Sequence, residues 1–214
     1  MVAGVVIAAV GVDALRHVEH PSERPLVALP LIFGTHQMVE AVVWWGVAGH
    51  VTDRVTGGFT WLYLAVAFGL LPWFVPWAVR RMEPDPTRRR IMATLSILGG
   101  LVSVHLMSAV AQGPVAVTDG GHYLAYQVPL SFGMLTAVLY VVATCGSLLL
   151  SSDRYAVQFG AINLAVVIVL AVLLLSGVIS LWCVWAAVTS AVIALHLRRT
   201  DPHRHRFPIA PAMS

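Results

Sequence analysis

Runs of about twenty apolar residues, the length a helix needs to cross a hydrocarbon layer of about 30 Å, recur along this 214-residue chain with only short polar breaks between them. Such a chain has no stretch left over for a soluble domain. Its 58% hydrophobic and 11% charged residues and its mean hydropathy of +0.82 point the same way. The expected fold is all-α: a polytopic membrane protein with a helix bundle at residues 1–197 and a short basic cytoplasmic tail at 198–214.

Spans are expected at Met1–Leu15, Pro25–Ala48, Phe59–Val79, Ile91–Ala111, Tyr126–Leu150, Val157–Val178 and Ile179–Leu197. The last two are continuous in hydropathy, but one helix over both would reach about 60 Å, twice the thickness available. A break near Ser176, Gly177 and Ser180 divides them, which makes seven spans.

The arginines test that count, because basic residues in short loops stay on the cytoplasmic side. Seven spans place Arg16, Arg24, Arg80, Arg81, Arg88, Arg89, Arg90, Arg154, Arg198, Arg199, Arg204 and Arg206 on one side and only Arg54 on the other. The N-terminus is therefore expected outside and the C-terminus in the cytoplasm. Trp44, Trp45, Trp61, Tyr63, Tyr123, Tyr126 and Trp182 then fall near the outer ends, with Trp73 and Trp77 near the inner ones, as interfacial aromatics do. No basic region precedes the first apolar run, so no cleaved signal peptide is expected.

The pI of 9.2 is a topology signal. A nucleic-acid partner would need a solvated basic face on a folded domain, whereas the longest basic segment is the loop RRMEPDPTRRR. Membrane lipid, with its anionic headgroups, is the natural neighbour of that loop. The chain has no lysine, which excludes a retinal Schiff base. Cys145 and Cys183 belong to no CxxC motif and lie at different depths, so they are expected as free thiols. Pro72 and Pro76 should kink the third span near its cytoplasmic end, and Pro30 the second. Ser96, Gly99, Gly100 and Ser103 form small-xxx-small pairs suited to close helix approach.

The stretch FGTHQMVEAVVWWG places His36, Gln37 and Glu40 inside an apolar run. A charge at that depth costs at least about 2.5–3.5 kcal/mol, so such residues face the bundle interior and mark a bound ion, a relay or a ligand. His36 and Glu40 are separated by one helical turn on one face, which Trp44 continues outward. His105 of the fourth span lies at the same depth, and the following loop brings Asp119, His122, Tyr123, Tyr126 and Gln127 to the outer end, with Cys183 and Trp185 entering from the seventh span.

Three readings stay open for this outward-facing pocket. A buried hydrogen bond from Glu40 to His36 or His105 would fix helix packing. A divalent metal such as zinc, held by His36, Glu40 and His105 with His122 nearby, would keep an open position for water. Glu40 alone could carry a proton or balance a ligand's charge. As an enzyme the chain would be a metal-dependent membrane hydrolase of the ceramidase-like type, with Glu40 as ligand or general base and His122 as acid. It lacks that type's HxxxH or HxxxD pair. Ser147, Ser151, Ser152 and Asp153 gather at the opposite end without a GxSxG elbow, which argues against a serine hydrolase. His203 and His205 read as part of a solvated basic end.

The segments PLIFGTHQMVEAVVWWG, PWFVPWAV and SLWCVWAAVTSAVIALHL resemble an uncharacterised bacterial family of seven-span membrane proteins, a domain of unknown function. The similarity runs over nearly the whole chain, and the Gln37, Glu40, Trp44 spacing and the Ser180, Trp182, Cys183 run are its most specific parts. It implies the fold and a cytoplasmic-membrane location, and it brings no activity. Family members vary between His and Gln near position 36, which puts the weight on Glu40. They usually begin with several more residues, including a cysteine, so an additional N-terminal piece is expected ahead of Met1. The leading expectation is a membrane protein that binds a small ligand or ion through Glu40, His36, Gln37, His105, Trp44 and Tyr126. The alternatives are the metal-dependent hydrolase and a structural or partner subunit of a membrane complex.

Overall fold

A computed structural model describes residues 1–18, 20–173 and 178–199, with side chains to residue 192. Nine α-helices are described: α1 (Val2–Arg16), α2 (Arg24–Val27), α3 (Leu29–Val47), α4 (Asp53–Leu64), α5 (Leu71–Met82), α6 (Pro86–Ala111), α7 (Gly133–Leu149), α8 (Arg154–Leu173) and α9 (Val178–Arg199). A π-helical segment, Ala65–Leu70, joins α4 to α5, and α2 leads into α3, so the helices make seven rods. Four of these, Arg24–Val47, Asp53–Met82, Pro86–Ala111 and Arg154–Leu173, are long and apolar enough to cross a membrane, while Gly133–Leu149 and Val178–Val192 are apolar but shorter.

The fold is all-α apart from one hairpin that hydropathy does not reveal. Strands β1 (Ala116–Asp119) and β2 (Leu124–Gln127) pair antiparallel across a turn in which Gly121 has φ +88° and its N–H donates to Asp119 Oδ1 at 2.6 Å. Residues after Tyr126 are therefore strand and loop, and the fifth helix begins at Gly133 instead of Tyr126. Ser180 lies within α9. Ser176 and Gly177, expected at the break before it, lie outside the described residues, as does the tail from residue 200 onward.

Proline sets the local geometry of two rods. Pro30 falls in the first turn of α3, where a missing N–H costs nothing because that N–H has no helical partner. In the third rod, Pro72 begins α5 and Pro76 sits inside it. The disturbance expected at the cytoplasmic end appears upstream of both, as the π turn. Pro76 cannot donate to the Pro72 carbonyl one turn back. Helix α6 comes up against that oxygen at Gly99, where a Cβ would overlap it. Glycine is needed there because the backbones themselves touch. At the α1–α3 crossing, Gly34 meets the backbone of Ala8 and Gly11 meets Leu31.

Buried residues form two clusters. The one toward the α5–α6 and α7–α8 loops, called inner for that end of the bundle, centres on Leu29, Phe33, Leu71, Val75, Val79, Met92, Leu148 and Phe159. The outer one centres on Val43, Tyr63, Leu64, Ala67, Val102, Leu106, Leu124 and Tyr126. The opposite faces of the helices present large apolar side chains outward, with Ile97, Leu101 and Val104 on α6 and Val172 and Leu173 on α8 all exposed.

The inner loops are tied together by Glu83. Its Oε2 accepts the Ser152 N–H at 2.8 Å, and its Oε1 accepts the Ser152 hydroxyl at 2.6 Å and the Asp85 N–H at 3.2 Å. Beside it, the Arg88 guanidinium donates to the carbonyls of Leu150 and Ser151 at 3.1 and 3.2 Å, satisfying acceptors that the end of α7 leaves open. Asp85 caps α6 by accepting the Arg88 N–H at 2.7 Å.

Candidate functional site

Helix α3 is apolar on nearly every side, and it turns His36 and Glu40 into the bundle, 1% and 3% exposed. The His36 ring stacks on Tyr63 of α4, centroids 4.0 Å apart and 12° from parallel. Tyr63 in turn stacks on Tyr126 of β2 at 4.7 Å and 10°. Three elements thus meet in a column of rings, with Tyr63 at its centre and 0% exposed. The hairpin reaches this column because its strand continues past the helix ends, and the Leu124 N–H donates to the Ser180 hydroxyl of α9 at 3.5 Å.

The Glu40 carboxyl lies beside this column, surrounded by the side chains of Ser180, Tyr63, Tyr126 and Gln37. Cys183 completes the surround against Tyr63 and Glu40. None of these neighbours carries a positive charge, and among the described residues no ion pair reaches Glu40. The polar atoms here are largely unsatisfied. Glu40 Oε1, both ring nitrogens of His36, Gln37 Nε2, and the hydroxyls of Tyr63 and Tyr126 are all buried without a hydrogen-bond partner of ordinary geometry among the described residues. Buried polar atoms normally find partners, and here the polar ends of Ser180, Tyr63, Tyr126 and Gln37 are gathered around one carboxyl.

Inward of the carboxyl lies an apolar cavity of about 40 Å³, lined among others by Phe33, Tyr140, Asn163, Trp182, Cys183 and Ala186. It exceeds the ~10–15 Å³ that one water needs. Tyr140 spans cavity and backbone: its ring meets Trp182 edge-on at 5.4 Å, and its hydroxyl donates to the Ala67 carbonyl of the π segment at 2.8 Å. A π turn displaces carbonyls from their usual acceptor positions, and such turns concentrate at functional sites.

The structure brings together Glu40, His36, Gln37 and Tyr126, with Trp44 half-buried at the edge of the outer cluster. It does not bring in His105. That ring is turned to the side of α6, where Nε2–H donates to the Ser131 carbonyl at 3.1 Å. It thereby holds the turn through Phe132, whose φ of 58° is left-handed. His122 is exposed at the hairpin turn. Among the described residues no three His, Cys, Asp or Glu side chains gather closely enough to hold a metal ion. The set His36, Glu40, His105, with or without His122, does not fit zinc, which needs three protein ligands at bonding distance. Equal depth on two helices did not fix the rotation about each axis: Ser103 and Leu106 face the core, and His105 falls between that face and the outward one.

Tyr63, Ser180 and Cys183 are the central residues that the sequence reading placed elsewhere or left without a role at Glu40. Tyr63 in particular reads as an interfacial aromatic. Both cysteines are free and buried, as expected. No curated protein and no solved structure matches this chain. Residues 1–207 match a family of unknown function (DUF6629), and the chain belongs to that family.

Proposed function

We propose that the protein is a seven-span protein of the cytoplasmic membrane, N-terminus outside, in which Glu40 exchanges a proton or binds a small cation in the outer half of the bundle. The division of the arginines that seven spans give in the sequence, twelve to one side against Arg54 on the other, and the apolar outward faces, support the membrane placement. One observation carries the site: a carboxyl 3% exposed, with an unpartnered oxygen and only neutral neighbours. Left ionised in that setting, it would lack any protein counter-charge, so its balance comes from a proton or a cation. The neighbouring hydroxyls and amide can donate to the ionised form, and the hydroxyls can accept from the protonated one. The site therefore suits both states.

Infrared difference spectra of the purified protein, titrated with acid and with sodium, potassium or calcium chloride, test this against Glu40→Gln. The expected result is a carboxyl band that changes with pH or on cation addition in the wild type and is missing from the variant. A Glu40 band that stays invariant through every titration overturns the reading and leaves a sealed packing contact.

A further inference from the structure

On the outward side of α5, Trp73, Trp77 and Arg81 follow one another at i, i+4 and i+8 and form a ladder. The two indoles stack at 5.6 Å, and the Arg81 guanidinium lies 5.6 Å from the Trp77 ring. Beside it, α6 carries Arg90, Thr94, Ile97 and Leu101 on one stripe, all exposed, spaced four, three and four residues apart as a single helical face requires. The two helices are antiparallel neighbours: Gly99 meets Pro72, and Gly100 faces the Trp73 ring. Counting along that register sets Arg81 level with Arg90 at the loop end, Trp77 level with Thr94, and Trp73 level with Leu98, beside Ile97, farther in. Both ridges are cationic at the loop and become apolar away from it.

The charges in this place are also uncommitted. Arg88 spends its guanidinium on the α7 carbonyls and Arg154 donates to Tyr155. Neither Arg81 nor Arg90 donates to a protein acceptor among the described residues. The acids nearest in sequence do not neutralise them, since Glu83 is taken up by Ser152 and Asp85 by the α6 cap. A guanidinium held over an indole keeps its N–H edge free for a bidentate oxyanion.

We propose that this groove between α5 and α6 is a binding site for one anionic phospholipid of the cytoplasmic leaflet, its phosphate on Arg81 and Arg90 and an acyl chain along Trp73, Trp77, Ile97 and Leu101. The apolar floor running on from the cations selects a lipid over free phosphate. The proposal rests on the membrane placement given above.

Tryptophan quenching in vesicles separates the two. The full chain is reconstituted with brominated phosphatidylglycerol or, at equal mole fraction, brominated phosphatidylcholine. The expected result is stronger quenching by the anionic lipid, a preference of roughly fivefold or more, since each basic residue near a membrane surface contributes about that factor. The preference should be lost in the Arg81→Gln, Arg90→Gln double variant and retained in Arg154→Gln, with Trp73→Phe and Trp77→Phe removing the selective part of the signal. Equal quenching by both lipids in the wild type overturns the site. So does an equal loss in Arg154→Gln, which would mean diffuse surface charge. No quenching by either lipid would instead remove the membrane placement itself, and the site with it.

Discussion

Glu40 and Glu83 are both 3% exposed, yet their surroundings are opposite. Glu83, at the inner loops, accepts from the Ser152 N–H, the Ser152 hydroxyl and the Asp85 N–H, with Arg88 bridging the adjacent loop to α7. Glu40, among the outer helices, has an orphaned oxygen beside orphaned phenols and an orphaned amide. Burial is therefore no guide to what a buried acid does. A saturated acid holds two loops together, whereas under the proposed function an unsaturated one among neutral groups changes its state without breaking the fold.

The largest expected effect breaks the inner site. Glu83→Ala leaves two backbone N–H groups and a hydroxyl without their acceptor, and should lower unfolding stability by about 2–4 kcal/mol, measured by thermal or denaturant unfolding in detergent. A loss no larger than that of a surface substitution would mean the loop latch is decorative. Ser152→Ala should cost about 1 kcal/mol in the same assay, because it removes one hydroxyl hydrogen bond and spares the backbone one. The smallest change belongs to the outer site. Tyr63→Phe keeps the ring column and deletes a hydroxyl that neighbours the Glu40 carboxyl without a hydrogen bond of ordinary geometry, so stability should stay within about 0.5 kcal/mol of wild type, while the Glu40 infrared band shifts. If Tyr63→Phe proved as costly as Glu83→Ala, the contrast between the two acids would collapse.

Hydropathy alone located most of the rods, because apolar length is a one-dimensional property that the sequence displays directly. The all-α class and the membrane-length helices at Arg24–Val47, Asp53–Met82, Pro86–Ala111 and Arg154–Leu173 follow from it. The hairpin was hidden by the same logic: Leu124, Ala125 and Tyr126 extend the apolar run of the next helix. Only the Asp119–Gly120–Gly121 turn signal and the alternation of Val115 with Val117 argue for strands. Within the site, the i, i+4 pair His36 and Glu40 was legible because one helix fixes both faces. His105 was not, since the angle between faces of different helices is a tertiary fact. Tyr63 carries no local mark that separates a ring at the membrane interface from one stacked in the core. Its partners come from α3 and β2, a helix and a hairpin far apart in the chain.

The π segment divides the third rod into two independently indexed pieces. Above it Tyr63 is keyed to His36, and below it the Pro72 carbonyl is keyed to Gly99. A π turn takes up one residue more than the α turn it replaces, so deleting one residue between Ala65 and Leu70 would let the rod close into a regular helix with its two pieces in nearly the same rotational setting, whereas winding the segment as regular helix without a deletion would turn one piece against the other by about 100°. Both keys cannot survive that rotation, so the wide turn works as a gear setting: it takes the extra residue out of the helical count, and the two halves keep their separate partners.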